Sequence, residues 1–285
     1  MISFLPVQFC PRALLSYEKL FLKCFPKSQS YKFGPSSLEW LYQNNPAGKA
    51  IGFDAWEGGN LAAHYVCVPA RARIEGSIVN VLLSLNTATH PEYCCKGLFT
   101  KLGELTYEEA IKLGYDSVYG VANANSTPGF IRKLGFQFVG QLDAKVGIGS
   151  IEVDFRVVSE KVQFERVWSA DELAWRCANP RNTVFVRKGE RTTSFYAASA
   201  FRFLPVYTEH PAISTLALGA VSILSPVRLY LGLMPNGACR FNGYVSIPKT
   251  MRRSPLNLVY RSLSGKVAKL DKERISVSFL DFDAY

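Results

Sequence analysis

Residues 83–102 read LSLNTATHPEYCCKGLFTKL, a strand-like run that passes through a histidine–proline turn into an apolar helical pattern. We expect the strand to end at Thr87 and a helix to begin near Gly97. Successive backbone N–H groups at a helix N-terminus have no intrahelical partner, and with the helix dipole they form a site for anions. The stretch therefore predicts a phosphate-binding loop across residues 95–100.

Composition predicts a globular protein. The chain has 285 residues, of which 48% are hydrophobic and 20% charged, enough to bury one large core or two moderate ones. The opening MISFLPVQFC lacks the pattern of a secretory signal, and no run reaches the ~18 apolar residues that span a bilayer. The longest apolar run, residues 213–234, is interrupted by Gly219, Pro226 and Arg228. We expect two buried strands joined by a turn in this run.

Cysteine usage predicts a reducing compartment, and we expect a cytoplasmic protein. The cysteines are odd in number, and no pair has C-x-x-C spacing. They are Cys10, Cys24, Cys67, Cys94, Cys95, Cys177 and Cys239. Because the three histidines are scattered and none forms a close ligand pair with a cysteine, we expect no metal site.

The adjacent Cys94 and Cys95 raise the alternative of a reactive thiol or a redox pair. A helix N-terminus near His90 and Lys96 could activate a thiol. Neighbouring cysteines, however, form a strained disulfide that is poorly suited to structural use. We therefore interpret them as ordinary loop residues.

The net charge of +10 predicts attraction of a polyanionic partner. The basic residues form small dispersed clusters, such as Arg71 with Arg73 and Lys266 with Lys269. There is no long basic run and no interleaving of basic and aromatic residues, which nucleic-acid binding would favour. A phosphate-rich small molecule accounts for the charge better than nucleic acid does.

The periodicity predicts an alternating order of helices and strands. Two helices open the chain and a strand meander follows them. The predicted elements are a helix over 12–25, a helix from Ser37 as N-cap to Pro46, strands over 50–90, a helix over 97–114, a strand over 116–123, a helix over 126–135 and a strand over 136–142.

Three pieces of the stretch from Asn80 to Gly140 resemble the GNAT superfamily of acyl-CoA-dependent N-acyltransferases. They are the quoted strand, loop and helix, the strand YDSVYGVANANS, and the closing GFIRKLGFQFVG. Their order and separation are similar to those of the family. The resemblance implies an α/β (α+β) GNAT fold over residues 1–150, in which helices flank a mixed central sheet, with acetyl-CoA or another acyl-CoA as co-substrate.

The resemblance also implies the residues that bind coenzyme A. The strand backbone at 87–89 would hold the pantetheine arm, and the N–H groups at 95–100 would hold the pyrophosphate. The family pattern of Arg or Gln, two free positions, Gly, one free position, then Gly or Ala falls on residues 94–99, and the chain departs from it at Cys94 and Phe99. The implied set is Thr87, Ala88, Thr89, Cys95, Lys96, Gly97, Leu98, Phe99, Thr100, Asn123, Asn125 and Phe130.

Asn123 and Asn125 have two interpretations. By resemblance they would contact the pantetheine arm or the adenosine side of CoA. Asparagines after a strand also form turns through side-chain hydrogen bonds to the backbone. The sequence leaves both interpretations open.

The catalytic groups follow the family pattern only in part. Many family members have a tyrosine that protonates the departing thiolate where this chain has Ile131, so another group or water must supply that proton. For the general base we consider His64, Glu92 and Asp116. His64 lies on a central strand and could face the cleft, and it is our catalytic candidate. The alternative for His64 is a core-edge histidine that is hydrogen-bonded to a neighbour.

Residues 151–285 form a second predicted domain after the GNAT domain at 1–150. The segments that begin at Leu38 and Leu173 each have a tryptophan two residues later and Asn-Pro soon after, a weak repeat at a spacing of about 135 residues. This pattern predicts a degenerate GNAT-like repeat. The alternative is a wall that binds the acceptor, in a cleft between the halves. The wall would then include Pro205, Tyr207, His210 and Arg240.

We therefore expect an N-acetyltransferase that moves an acetyl or short acyl group from acyl-CoA to a primary amine of a small molecule, with an amino sugar as one acceptor class. Two alternatives stay open. Cys94, Phe99 and Ile131 are compatible with a weak or inactive CoA-binding or scaffold module. The positive charge is compatible with a long-chain acyltransferase that uses an acyl carrier protein. The oligomeric state is left open.

Overall fold

The computed structural model describes residues 1–25, 33–201, 203–213, 225–252 and 254–282. The described residues form six α-helices and fifteen strands, so the predicted α/β class, with helices on a mixed sheet, is confirmed. The helices are α1 (Pro11–Cys24), α2 (Pro35–Tyr42), α3 (Leu98–Lys112), α4 (Thr127–Leu134), α5 (Phe155–Lys161) and α6 (Ala170–Cys177). The strands are β1 (Ile2–Pro6), β2 (Ile51–Glu57), β3 (Asn60–Ile74), β4 (Ser77–Thr89), β5 (Ser117–Ala122), β6 (Gln137–Gln141), β7 (Asp143–Ile148), β8 (Phe164–Val167), β9 (Phe185–Lys188), β10 (Thr192–Ala197), β11 (Val206–Pro211), β12 (Val227–Leu233), β13 (Tyr244–Ser246), β14 (Asn257–Ser262) and β15 (Ile275–Ser278).

The two opening helices are confirmed, but α2 begins earlier than predicted. Its N-cap is Gly34, and Pro35 lies in the first turn. Backbone N–H groups there have no intrahelical partner, so a proline, which lacks this group, loses no hydrogen bond. Ser37 is therefore not the N-cap but a buried residue inside the helix. The helix also ends at Tyr42 rather than at Pro46.

The predicted meander is confirmed as β2, β3 and β4, which pair antiparallel in chain order. β4 runs past the predicted end at Thr87, because β3 continues to pair with it until Ala63 lies opposite Thr89. β1, which the periodicity did not single out, pairs with β2 at the outer edge of the sheet. The predicted elements at 97–114, 116–123 and 126–135 are present as α3, β5 and α4.

β4 and β5 form a parallel pair at the centre of the N-terminal sheet. They pair from Val81 opposite Ser117 to Ser84 opposite Gly120 and then separate. Helices α3 and α4 cover one side with a core that includes Leu102, Ala110 and Phe130. Helices α1 and α2 bury a second core, which includes Leu14, Phe21 and Leu38. The ends of β4 and β5 therefore carry strand edge without a ladder partner.

The C-terminal half repeats this plan. β9, β10 and β11 pair antiparallel, and β11 then runs parallel to β12. β15 pairs antiparallel with β12 and parallel with β8, and β8 pairs with β3. These contacts join the two halves in one continuous sheet.

Each half also contains a strand from the other. β14, from the C-terminal half, lies between β5 and β6 and pairs antiparallel with both. β7, which follows β6 in the chain, lies in the same way between β12 and β13. This reciprocal exchange is the arrangement that a duplicated unit would produce if its last strands were swapped between copies.

The apolar run at 213–234 lies partly outside the described residues, which omit 214–224. The first of its two predicted strands falls in that segment, and the second is present as β12. Within the described ranges, we find no helix that is both long and apolar enough to cross a lipid bilayer.

Candidate functional site

The separated ends of β4 and β5 form the cleft around which the predicted residues gather. Past Ser84 and Gly120 the two strands no longer pair. A β-bulge also interrupts the pairing of β4 with β3, and Asn86 has a left-handed backbone there with a φ of 50°. Bulges re-aim side chains and are common beside active sites. The predicted pantetheine residues Thr87, Ala88 and Thr89 directly follow this bulge.

Thr87 has a buried hydroxyl group with no hydrogen-bond partner among the described residues. A buried polar group without a partner costs ~1–3 kcal/mol, so native proteins seldom leave one unpaired. A carbonyl or amide of a ligand in the cleft would satisfy this hydroxyl. Thr87 thus offers a ligand a side-chain contact in addition to its backbone.

The loop between β4 and α3 is exposed and tightly turned. Cys95 and Gly97 both have left-handed backbones, with φ of 64° and 73°. Gly97 is the N-cap of α3, and neither a capping side chain nor an acidic residue occupies the first turn. The Nζ of Lys96 lies 4.6 Å from the centre of the Tyr93 ring. The helix N-terminus is therefore free to meet an anion, and CoA binding at residues 95–100, which include Thr100, stays a prediction.

Phe99 packs away from the loop rather than crowding it. Its ring makes edge contacts with Tyr65 and Phe130, at centroid distances of 5.9 and 5.5 Å. Gly129 makes room for it, because a Cβ there would lie 3.1 Å from the Phe99 ring. Leu98 and Phe130 are buried in the same core. These three side chains support α3 and α4, so they would meet a ligand through the backbone.

Asn123 forms a turn at the start of α4. Its Oδ1 accepts hydrogen bonds from the backbone N–H groups of Asn125 and Ser126, at 2.9 and 3.0 Å. Its carbonyl oxygen also accepts from the Thr127 hydroxyl at 2.6 Å. The turn-forming interpretation therefore describes Asn123, while the side chain of Asn125 is exposed beside the end of β5.

His64 lies on β3 and is fully buried in a polar network. Its Nδ1 is 2.6 Å from Oδ1 of Asp54, the opposite residue on β2. The Tyr17 hydroxyl donates to the other Asp54 oxygen at 2.7 Å. On the far side of the ring, Nε2 lies 3.3 Å from the Tyr42 hydroxyl. A carboxylate that accepts from Nδ1–H fixes the tautomer in which Nε2 is the basic nitrogen.

Tyr42 connects this network to the cleft. Nδ2 of Asn86, at the bulge, donates to the Tyr42 hydroxyl at 3.0 Å. A chain of polar groups therefore runs from Asp54 through His64 and Tyr42 to the residue that precedes Thr87. His64 and Tyr42 are both 0% exposed, and among the described residues the hydrogen bonds that join His64 to Asn86 pass through Tyr42.

Sequence reasoning missed four members of this network: Tyr17, Tyr42, Asp54 and Asn86. The available signal was the carboxylate in IGFDAW, since a charge inside an apolar strand needs a partner. Which residue is that partner depends on the register of β2 and β3, which the sequence did not provide.

The other candidates for the base lie elsewhere. Asp116 precedes β5, at the opposite end of that strand from the cleft, and its carboxylate accepts from the Ser264 hydroxyl at 2.7 Å. Glu92 is exposed on the loop. Neither carboxylate has a contact that links it to the network around His64.

Two of the thiols near the loop donate hydrogen bonds to backbone carbonyls. Cys94 is exposed and donates to the His90 carbonyl at 3.7 Å. Cys24 donates to the Thr89 carbonyl at 3.2 Å, and burial, reinforced by Cys94, raises its pKa. Its thiolate form is therefore disfavoured. Among the residues that the structure describes, no group of three or more His, Cys, Asp or Glu side chains is placed to hold a metal ion.

Two cavities lie beside α1. One of about 360 Å³ is bounded by α1 and by the loop, and Lys19, Lys23 and Glu92 contribute to its lining. Nζ of Lys23 lies 3.1 Å from Nε2 of His90 in its wall. The second, of about 340 Å³, reaches Tyr17 and Asp54 of the buried network and also carries Arg12.

The residues predicted for an acceptor wall in the second half are not all brought together. Tyr207 and His210 lie on β11, and His210 lines a cavity between the halves. Pro205 precedes that strand and accepts a backbone hydrogen bond from Leu229. Arg240 is exposed and does not line this cavity.

Comparison with known proteins gives a family for the N-terminal half. Residues 16–139 match the model of the acetyltransferase (GNAT) domain family. No curated protein sequence matches the chain significantly. This family match spans the bulged β4, the loop, α3, β5 and α4, which are the elements that build the cleft.

Solved structures with low sequence identity share the fold over most of the chain. A conserved protein of unknown function from Enterococcus faecalis V583, described as a probable N-acyltransferase, has 10% identity and a TM-score of 0.60, over 93% of this chain and 73% of its own. A GCN5-related N-acetyltransferase from Anabaena variabilis ATCC 29413 has 11% identity and a TM-score of 0.58, over 92% and 73%. Eis1 from Mycobacterium abscessus has 11% identity and a TM-score of 0.59, over 93% and 74%.

At these identities the solved structures establish similarity of fold, and the family model identifies one domain. The parallel pair that separates, the bulge beside it and the loop into α3 all lie within the matched residues. The acetyltransferase (GNAT) domain family is therefore what residues 16–139 of this chain resemble.

Proposed function

We propose that this protein transfers an acetyl or other short acyl group from acyl-CoA to a primary amine of a small molecule. The observation that carries the proposal is the separated end of the β4–β5 pair beside an α3 N-terminus that no side chain caps. The first offers strand edge to a pantetheine arm, and the second offers N–H groups and a positive dipole to a pyrophosphate. A GNAT domain needs both parts in one cleft.

In the proposed complex, the backbone of residues 87–89 binds the pantetheine arm and the Thr87 hydroxyl bonds to one of its polar groups. The N–H groups of residues 95–100 bind the pyrophosphate, and Lys96 adds positive charge that partly replaces the family's Arg or Gln at Cys94. Asn125 contacts the arm or the adenosine side. The net charge of +10 raises the local concentration of the polyanionic co-substrate.

The reaction forms one C–N bond and breaks one C–S bond, and the attacking amine loses a proton. Tyr42 is 0% exposed, so we propose that this proton reaches its oxygen by way of water in the cleft, and that Tyr42 passes its own proton to Nε2 of His64. The Asp54 carboxylate, 2.6 Å from Nδ1, stabilises the imidazolium that results. The departing thiolate takes its proton from water, because Ile131 has none to give.

The acceptor is proposed to enter beside α1. The cavity of about 360 Å³ there has a volume suited to a small molecule. Its mixed lining of Lys19, Lys23 and Glu92 suits a ligand with both an amine and an anionic or hydroxyl-rich part. An amino sugar is the first acceptor class to test. We place the reaction in the cytoplasm, because all seven cysteines are free thiols.

Titration calorimetry with acetyl-CoA and CoA tests the binding half of the proposal. Gly97→Asp puts a charge and a side chain at the N-terminus of α3 and should abolish binding. Gly114→Asp is the matched control, since Gly114 has a similar backbone, with φ of 78°, has open space around it, and lies just past the other end of α3. Loss of binding in both variants, or in neither, would contradict a pyrophosphate site at the loop.

A panel of amines, assayed for release of free CoA thiol, tests the catalytic half. Turnover of any small primary amine by the wild type supports the transferase. Binding of acetyl-CoA without turnover across the panel would favour the second candidate, a CoA-binding module without activity. The observation in favour of that candidate is Ile131, which occupies the position of the proton-donating tyrosine.

A further inference from the structure

A cavity of about 190 Å³ lies where the two halves of the chain meet. Residues of β3, β8, β11 and β15 line it, together with residues at and just before α5. None of the residues proposed above to bind acyl-CoA or to move the proton is among them. Since a water molecule occupies about 30 Å³ in the liquid, the space suits a small organic ligand.

The strand topology gives this cavity a polar floor. β11 and β12 pair for only two residues, Val206 and Tyr207 of β11, after which β12 pairs with β15 instead. Thr208 and His210 come next and, being two residues apart, share one face of β11. Both line the cavity. Burial lowers the pKa of His210, against the opposing effect of Asp281, and this favours the neutral ring, which can still donate a hydrogen bond.

Arg166 is a buried cation in the wall of this cavity. The residue is 8% exposed, and its guanidinium carbon lies 3.6 Å from the centre of the Trp168 ring. Its guanidinium has the Tyr119 hydroxyl as a hydrogen-bond neighbour, but its Nε has no partner and no carboxylate forms an ion pair with it among the described residues. A buried charge without a counter-ion is costly, and an anionic ligand would remove that cost.

Thr208 provides a second, independent sign of a ligand. It is 0% exposed, and its hydroxyl has no partner among the described residues. Valine has the same shape and would leave no polar atom unpaired, so the hydroxyl adds nothing to the packing of β11. An oxygen of a ligand in the cavity would accept its proton.

The carboxylates that line the cavity already have partners. Glu165 forms an ion pair with Arg73. Asp281 accepts hydrogen bonds on both of its oxygens, and Glu209 accepts one from a backbone N–H. They do not neutralise Arg166 by direct contact. Against the guanidinium groups of Arg73 and Arg166, however, the three carboxylates leave the lining with one negative charge in excess, which weakens the binding of any anion and disfavours a ligand with more than one negative charge.

We propose that this cavity binds a small monocarboxylate, independently of the acyl-CoA cleft. The carboxylate of the ligand accepts from the guanidinium of Arg166 and from the hydroxyl of Thr208, with His210 as a third polar neighbour. An Arg fork fits a planar carboxylate, and a charge-assisted pair of this kind is among the stronger hydrogen bonds in proteins. The body of the ligand packs against the apolar part of the wall, Val153, Val158 and Met234.

Calorimetric titration of the full chain with sodium butanoate tests this proposal, with butylamine and inorganic phosphate as the comparison ligands. We expect butanoate to bind at millimolar concentration or below, and neither comparison ligand to match it. Arg166→Gln should weaken the binding roughly tenfold to a hundredfold. Arg274→Gln is the control, because Arg274 is ion-paired with Glu75 and lies outside the cavity.

Thr208→Val keeps the proposal testable if Arg166→Gln does not fold. It should weaken butanoate several-fold while leaving the melting temperature unchanged or raised. A merely structural Thr208 would change stability and leave binding as it was. No butanoate binding by the folded wild type, or equal binding of phosphate, would overturn the proposal. Titration of the same samples with acetyl-CoA reports separately on the proposed transferase.

Discussion

Trp40 of α2 and Trp175 of α6 stack face to face, with ring centroids 4.5 Å apart and an angle of 17° between the planes. The indole N–H of each donates to the backbone carbonyl of the other, at 3.2 and 3.0 Å. Such mutual bonds arise naturally where two copies of a unit face each other across a twofold axis. These are the two tryptophans of the predicted repeat.

The tryptophan pair should couple the stabilities of the two halves. Trp40→Phe and Trp175→Phe each remove one hydrogen bond and part of the stacked surface, and each should lower the free energy of unfolding by about 1–2 kcal/mol. Because the two rings contact each other, the double variant should show a coupling energy of about 0.5–3 kcal/mol in urea denaturation. Trp40→Phe with Phe241→Leu, a ring packed on Tyr230, should instead be additive. Additive losses for the tryptophans would mean that the contact contributes nothing.

The buried network should control turnover and leave co-substrate binding alone. His64→Gln removes the proposed base and should lower kcat about 10²- to 10⁴-fold, and Tyr42→Phe should lower it roughly 10²-fold. The KM for acetyl-CoA should stay within about threefold, since neither side chain is proposed to contact CoA. Steady-state kinetics on the best amine provide the measurement.

Tyr119→Phe is the matched control for the network. Tyr119 is also buried, and its hydroxyl donates to the Asp281 carbonyl at 3.0 Å, away from the cleft. Removal of this hydroxyl should lower the free energy of unfolding about as much as the network substitutions do, with no change in kcat. If His64→Gln retained full kcat, the proton would have to leave by another route.

The exchanged strands should make the chain unfold in one step. Val259 of β14 is 0% exposed and lies in the core beneath α3 and α4, although it belongs to the C-terminal half of the chain. Val259→Asp buries an unpaired charge and should lower the free energy of unfolding by about 4 kcal/mol or more. Val245→Asp on β13, where the residue is 66% exposed, should change the free energy of unfolding little.

The unfolding of the wild type in urea should show the same transition by tryptophan fluorescence and by far-UV circular dichroism. Two separate transitions would show that the halves unfold independently.

The N-terminal elements could be predicted because they depend on local sequence patterns. Features that depend on contacts between distant residues could not be predicted. The apolar spacing of 97–114 and the glycines at its ends determine α3 within the segment itself. The placement of β14 depends instead on pairing between residues 257–262 and 117–122, which no periodicity records. The division into domains at residue 150 stays a proposal, because β7 and β14 each pair with strands on the far side of it.

The candidate site likewise has a part that could be predicted from local sequence and a part that could not. Gly97 and the loop could be predicted, because a helix N-terminus after a strand is a local feature. The Asp54–His64 pair could not, because it depends on which residues of β2 and β3 lie opposite each other. The bulge at Asn86 was hidden for a related reason: the extra residue is apparent only once the ladder with β3 is known.

The ion pair between Glu172 and Arg71 should make stability depend on acid pH. Burial acts to raise the pKa of Glu172, but hydrogen bonds from Arg71 and Ser169 outweigh it and hold that pKa below its ordinary value. A carboxyl whose pKa is depressed on folding stabilises the fold above its unfolded pKa, and that contribution is lost as the pH falls through the lower folded value. Wild-type stability should therefore fall from about pH 5 downward. Glu172→Gln should be less stable at pH 7 and lose less on acidification, whereas the exposed Glu104→Gln should follow the wild type. Equal slopes for wild type and Glu172→Gln in urea melts between about pH 3 and 6 would contradict this assignment.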